Sequence, residues 1–445
     1  MPDPPAEPQG HLSGASFPVS GIIEAFYGPP WSWTVRSEVM AWCHERGMDV
    51  YLYAPKDDPL HRERWREPYG PEALTEFENL VAAGTLAVGF GISPGLSIDY
   101  QSPDDREALG RKVDQLVERG VRMVALLLDD IPVRSGLGAE HAALTTWLHD
   151  HLDGRAHLVL TPTEYTGTHP TPYLDALAAG VPEEVSIGWT GATVVCDEIT
   201  VAQAQARAAS LGDRPPFLWD NYPVNDAVMA DRLFMGPLRG RDPGLGTVCS
   251  GYASNPMGQG LASKPALASI AAYVNGGDPQ AGWEADLGRL AVFAEACDGE
   301  HPRDLVRAVV ASDASETPLA ALEAWLVAAK DCTAPGLEDE VGPWLGQVHR
   351  EARVGLSAVN VLRQLTSSDD GPDQGGQALA LAAGWLPLRR AEVSVMGTRG
   401  SLRPVLGQSD SGAWTYQAEA VTESANAIDD LVRHALARAA EPGSR

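Results

Sequence analysis

From about residue 18 to residue 274, short apolar runs alternate with amphipathic segments, the pattern of repeated strand–helix units around a parallel sheet. Eight runs read as strands, at 21–26, 50–53, 88–92, 123–128, 158–160, 185–187, 217–219 and 247–250. Eight such units predict a (β/α)₈ barrel over residues 17–277, and residues 188–200 leave room for one extra short strand. One helix start is sharply marked. Ser102-Pro103-Asp104-Asp105 supplies a capping hydroxyl, a proline suited to the first turn and acids at the positive end of the dipole. Leu109, Val113, Leu116 and Val117 then form one apolar helical face.

After about residue 278 the strand pattern stops and Ala- and Leu-rich helical periodicity takes over, as in Leu345, Val348, Ala352, Leu356 and Val359. Residues 278–445 are therefore expected to form an α-helical domain. A final helix is predicted from near Trp414 to Ala439, with Val421, Ala425, Ile428, Val432 and Ala435 on one face. Residues 366–377, TSSDDGPDQGGQ, read as a flexible loop, and the acidic, Pro-rich residues 1–16 as a flexible N-terminus. The helical region fits three roles equally: covering the barrel, extending a substrate groove, or forming a homodimer.

Composition narrows the partners. Thirty-three basic against sixty acidic residues leave a formal charge of -27, which repels phosphate backbones and anionic lipids, so neither nucleic acid nor membrane is an expected partner. No apolar run approaches the ~20 residues of a membrane span. The N-terminus has neither a basic nor an apolar leader segment, so the expected location is cytoplasmic. Five scattered cysteines and eleven histidines form no disulfide framework and no metal-ligand spacing, and no cofactor is assigned.

Barrel enzymes hang their reactive groups from the C-terminal ends of strands. The apolar run 124–128 ends in Asp129-Asp130, two carboxylates that resist being ionised together and so suit general-acid work; a turn or a helix cap is the plainer reading of an isolated pair. Several longer stretches surround it: GIIEAFYGPPWSWTVR (21–36), YLYAPKDDPLHRERWREPYG (51–70), LLLDDIP (126–132), PTEYTG (162–167), WTG (189–191), WDNYPVND (219–226), LFMGPLRGR (233–241) and SNP (254–256). In that unbroken order they resemble glycoside hydrolase family 84, which contains protein O-GlcNAcases and bacterial β-N-acetylglucosaminidases, some labelled hyaluronidases.

The resemblance implies a retaining β-N-acetylglucosaminidase that hydrolyses terminal β-linked GlcNAc on a glycoside, oligosaccharide or glycoprotein through an oxazoline intermediate. Asp129 would orient the substrate acetamido N–H, and Asp130 would protonate the leaving oxygen and then activate water. Lys56 would bind sugar hydroxyls, with a salt bridge to Asp57 or Asp58 as its alternative. Tyr165 would donate near the acetamido oxygen, and Trp219 would wall the methyl pocket; each is otherwise a packing aromatic. Asn221 would hydrogen-bond Asp129 or substrate, while Asp226 and Asn255 would take sugar hydroxyls, residue types that elsewhere form turns. Ala25 stands where the family commonly has glycine, at a backbone carbonyl that meets a hydroxyl. His169 reads as a solvent-facing loop residue, with the aglycone side as the alternative. Two alternatives remain at this stage: a polymer-active hexosaminidase of hyaluronidase type, disfavoured for polyanionic chains by the negative charge, and a GlcNAc-binding pseudoenzyme.

Overall fold

The computed structural model describes residues 14–366, 374–388, 402–408, 414–420 and 426–440. Eight strands, β1 (Ser20–Glu24), β2 (Val50–Tyr53), β3 (Ala87–Ile92), β4 (Met123–Leu127), β5 (His157–Thr161), β6 (Ser186–Trp189), β7 (Pro216–Asp220) and β8 (Gly251–Ser254), close into a barrel in sequence order. Every neighbouring pair is parallel, and β1 pairs with β8 to complete the ring. Helices α1 (Trp33–His44), α2 (Pro71–Ala82), α3 (Pro103–Val117), α4 (Leu137–Leu152), α5 (Pro172–Gly180) and α6 (Val201–Ala209) connect β1 to β7 in turn, 3₁₀ turns lie between β7 and β8, and α7 (Lys264–Val274) follows β8. This is the expected (β/α)₈ architecture.

Side chains pointing inward from the strands fill the ring: Ile23, Leu52, Met123, Ala125, Val159, Phe217 and Trp219 belong to one buried cluster. The packing sets tight local demands. A Cβ on Gly21 would lie 1.9 Å from the Val50 carbonyl oxygen, so the second residue of β1 must be glycine for the strand to approach β2. The start of α3 is as predicted: Ser102 Oγ accepts from Asp105 N at 3.2 Å, and Leu109, Val113, Leu116 and Val117 are buried.

Two strand expectations change. The eighth strand is Gly251–Ser254 rather than 247–250, because Leu245–Thr247 forms a 3₁₀ turn and only the later residues pair with both β7 and β1. The apolar signal at 247–250 reflects burial of Cys249 beside that turn. Residues 190–200 form no extra strand; Gly191 takes φ +109°, Thr193 and Cys196 bond one another, and a single bridge joins Ile199 to Arg241.

The chain divides into two compact units, one holding residues up to Asp226 with Pro237–Asp286, the other Ala227–Gly236 with Leu287 onward. Helix α8 (Pro279–Leu287) is followed in the second unit by α9 (Ala291–Asp298), α10 (Glu300–Ala311), α11 (Glu316–Lys330), α12 (Glu338–Thr366) and α13 (Gln374–Leu388). Along α12 the buried face runs through Val341, Val348, Ala352, Val359 and Leu362, while Leu345 and Leu356 are only half-buried.

The single final helix expected from Trp414 is corrected. Trp414–Ala420 is a strand, β10, paired antiparallel with β9 (Leu402–Gln408), and the helix α14 spans Ala427–Ala439. Trp-Thr-Tyr is a β-prone opening, and Asn426 starts the helix by accepting from Ile428 N at 2.8 Å. Ile428, Val432 and Ala435 are buried as expected, whereas Val421 and Ala425 lie outside the described residues. Most of the segments 1–16 and 366–377 also lies outside them, although Gln374 already begins α13.

Candidate active site

Eight of the nine residues singled out from the sequence, Ala25, Lys56, Asp129, Asp130, Tyr165, Asn221, Asp226 and Asn255, stand in the loops after the C-terminal ends of the strands, and Trp219 is the penultimate residue of β7. The two carboxylates after β4 have separate surroundings. Asp129 is buried, and Asp130 is exposed with φ +50°, a left-handed conformation that aspartate tolerates better than most residues. Asp129 Oδ2 accepts from Lys56 Nζ at 2.5 Å, both side chains being at most 6% exposed. Lys56 thus reaches across from the β2 loop to Asp129, so the salt bridge to Asp57 or Asp58 is not its arrangement. Asp58 instead accepts from the hydroxyls of Tyr53 and Tyr69 and from Leu60 N.

The second oxygen of Asp129, Oδ1, is buried and has no hydrogen-bond partner among the described residues. A buried charged acceptor without a donor is costly, and such atoms are rare in folded proteins. It offers a ready acceptor for an N–H or O–H brought in by a ligand.

Asp130 is held by two phenols. Tyr27 OH donates to Oδ2 at 2.7 Å and Tyr165 OH to Oδ1 at 3.1 Å. Burial and the neighbouring Asp130 push the Tyr27 phenol up to about 12 and raise that of Tyr165 further, so both stay protonated and donate at neutral pH. Tyr165 is positioned by Arg207 of α6, whose fully buried guanidinium donates to the flanking carbonyls of Glu164, at 2.7 Å, and Thr166, at 3.3 Å.

A chain of amides lines the β7–β8–β1 side. Trp219 Nε1 donates to Asn221 Oδ1 at 2.9 Å, Asn255 Nδ2 donates to the same oxygen at 3.0 Å, and Asn255 Oδ1 accepts from Ala25 N at 3.2 Å. Asn221 Nδ2 donates to the Val194 carbonyl at 2.8 Å. Of the two partners expected for Asn221, Asp129 or substrate, Asp129 is not bonded to it among the described residues; its amide joins Trp219, Asn255 and the β6 loop and keeps one N–H for a ligand. Asp226 Oδ2 accepts from Tyr27 N at 2.8 Å, tying that side of the mouth to the β1 loop. His169 is exposed, matching the solvent-facing reading.

His61 was not anticipated. Fully buried, it pairs Nδ1 with the Gly91 carbonyl at 2.8 Å, and burial, then the Lys56 charge, push it down to about 4, so it is neutral. Tyr27 and Arg62 were also missed, though they sit in the motifs 21–36 and 51–70; Tyr27, three residues past the end of β1, carried the signal of a polar residue near a strand's C-terminal end, and Arg62, nine residues past β2, carried none. Among the described residues, no group of three or more His, Cys, Asp or Glu side chains is arranged to hold a metal ion.

Comparison with known proteins is consistent with this geometry. A family model for β-N-acetylglucosaminidase matches residues 20–298. The protein O-GlcNAcases of Rattus norvegicus and Mus musculus are each 33% identical over 282 residues, 59% of this chain. The chain spans about a third of the length of those relatives, 31%. An O-GlcNAc hydrolase mutant from Thermobaculum terrenum superposes with a TM-score of 0.77 at 27% identity, covering 94% of both chains. The structure named CpGH84B gives 0.79 at 22% identity, covering 95% of this chain and 77% of the other, a likeness of fold. With the family model matching more than half of the chain, every barrel strand included, the chain belongs to the β-N-acetylglucosaminidase family, glycoside hydrolase family 84.

Proposed function

We propose that the protein is a retaining β-N-acetylglucosaminidase that removes terminal β-linked GlcNAc by substrate-assisted catalysis. The observation that carries this reading is the unpartnered, buried Asp129 Oδ1 beside an exposed Asp130 held by two hydroxyls. An acetamido N–H supplies the missing donor. Its carbonyl oxygen then attacks the anomeric carbon, the bond to the leaving oxygen breaks, and Asp130 gives that oxygen its proton. In the second half Asp130 takes a proton from water, which opens the oxazoline and regenerates the acetamide.

The adjacency of the acids follows from this chemistry, since the nitrogen and the leaving oxygen flank one C1–C2 bond. Asp129 and Lys56 form an ion pair, so the fixed anion that faces the developing positive charge is itself anchored. The Trp219–Asn221–Asn255 chain holds the acetamido side, and Asp226, Asn255 and the Ala25 carbonyl are assigned to sugar hydroxyls.

Kinetics of 4-nitrophenyl glycosides test the mechanism. The β-GlcNAc compound is expected to turn over and the β-glucoside, which lacks the nucleophile, to be inert. Stepwise fluorination of the acetyl methyl is expected to lower the rate steeply, and a GlcNAc-thiazoline to inhibit far more tightly than GlcNAc. A rate indifferent to fluorination, with a sugar trapped covalently on an aspartate, would overturn the reading.

A further inference from the structure

Tyr27 is 41% exposed, yet its hydroxyl is engaged on two sides. It donates to Asp130 Oδ2 at 2.7 Å and accepts from Arg62 Nη1 at 3.0 Å. The guanidinium carbon of Arg62 also lies 5.5 Å from the Tyr27 ring centroid. Among the described residues Arg62 makes no ion pair, in a chain with sixty acidic residues, and its Nε is buried without a partner. Arg62 is half-buried, and its hydrogen bond to the Tyr27 hydroxyl directs its charge to the phenol that holds Asp130, which points to a role at that carboxylate.

We propose that Arg62 and Tyr27 form a relay that positions and polarises the Asp130 carboxylate, Arg62 acting only through the phenol. The inference rests on the reading of Asp130 as the acid/base. A donor whose oxygen already accepts from a cation is a stronger donor, so Arg62 strengthens the Tyr27 bond to Asp130. Asp226 Oδ2 holds the Tyr27 backbone N–H, which fixes where the phenol sits. The groups facing Asp130 are Tyr27 from the β1 loop, Tyr165 from the β5 loop and Asp129 beside it, with Arg62 from the β2 loop one bond behind. Tyr165 keeps the carboxylate tethered when Tyr27 is altered. Both residues are positioning residues; neither needs to touch the sugar.

The test is a double-mutant cycle on the full chain, read with a poor leaving group (an alkyl β-GlcNAc) and a good one (4-nitrophenyl β-GlcNAc) across pH. Tyr27→Phe is expected to lower kcat on the alkyl glycoside by about tenfold with KM little changed, and on the aryl glycoside by less than about threefold. Because donors favour the ionised carboxylate, losing the phenol should also move the alkaline limb of kcat/KM to higher pH. Arg62→Gln is expected to act in the same direction more weakly, Arg62→Lys to restore part of the loss, and the double variant to be no worse than Tyr27→Phe alone. Multiplying effects in the double variant, or equal losses on both substrates with an unmoved alkaline limb, would overturn the relay. Asp130→Asn serves as the control: if it spares the alkyl glycoside, the acid/base reading fails whatever the Tyr27 result.

Discussion

The strands β4 and β7 both lead into a buried aspartate, and the two acids are bonded in opposite ways. Asp220, 1% exposed, takes Arg241 on both oxygens, at 2.7 and 2.9 Å, and the Tyr252 hydroxyl at 2.8 Å. Glu24 at the end of β1 repeats the pattern with Arg36, Trp31 N and Tyr51. Among the described residues Asp129 has Lys56 on Oδ2 and no partner on Oδ1. A saturated carboxylate holds strands and loops together; an unsaturated one keeps capacity for a ligand. Both are buried aspartates at the C-terminal end of a strand, Asp220 its last residue and Asp129 two residues beyond, and the count of donors is what separates structure from chemistry.

The comparison is broken most directly by removing each charge. Asp129→Asn is expected to cut kcat on β-GlcNAc substrates by about 10²–10³-fold, as loss of a preorganised charge does, while unfolding free energy changes far less than in the next variant. Activity within a few-fold of the parent would refute the assignment. Asp220→Ala strands a buried guanidinium, and denaturant titration is expected to show a loss of about 3–5 kcal/mol. If it is the milder of the two in stability, the donor count has misled.

A pH experiment probes the ground beside the Lys56–Asp129 pair. His61 is neutral in the fold and titrates about 4, below the ordinary ~6.5 of the unfolded chain, so its contribution is complete above that value and is lost as pH falls towards 4. His141, between the hydroxyls of Tyr100 and Tyr173, is pushed down to about 3 by burial and adds to the same slope. Melting between pH 7 and 5 should therefore fall with acidification, and less steeply in His61→Gln. Equal slopes in parent and variant would show that His61 does not carry it. The smallest effect is expected from Asn221→Ala, about tenfold in kcat/KM, because the asparagine acts by holding Trp219 and Asn255. A loss as large as that of Asp129→Asn would restore Asn221 to direct contact with substrate.

Much of the barrel was legible because parallel strands buried on both faces leave contiguous apolar runs. The seven strands from β1 to β7 overlap their expected ranges. The eighth was displaced because burial of Cys249 in a turn and burial in a strand leave the same local trace, and pairing with β1 and β7 decides between them. The C-terminal strand pair escaped notice because the run after Trp414 also fits helical spacing, and partnership with Leu402–Gln408 is a non-local choice.

At the site, the sequence by itself determined which residue types stand after which strands: Asp129-Asp130, Lys56, Tyr165 and the asparagines follow from motif order and strand position. Tertiary structure alone decided who bonds whom. Lys56 pairs with Asp129 and not with its neighbours Asp57 and Asp58, Asn221 turns to Trp219 and Val194, and Tyr27 with Arg62 closes on Asp130. Apart from Trp219–Asn221, two residues apart, these pairings join segments 27 to 103 residues apart, and ring closure sets their distances. Hydrogen bonds and charge pairs depend on angstrom-scale separation, whereas strand periodicity depends only on the order of side chains along the chain.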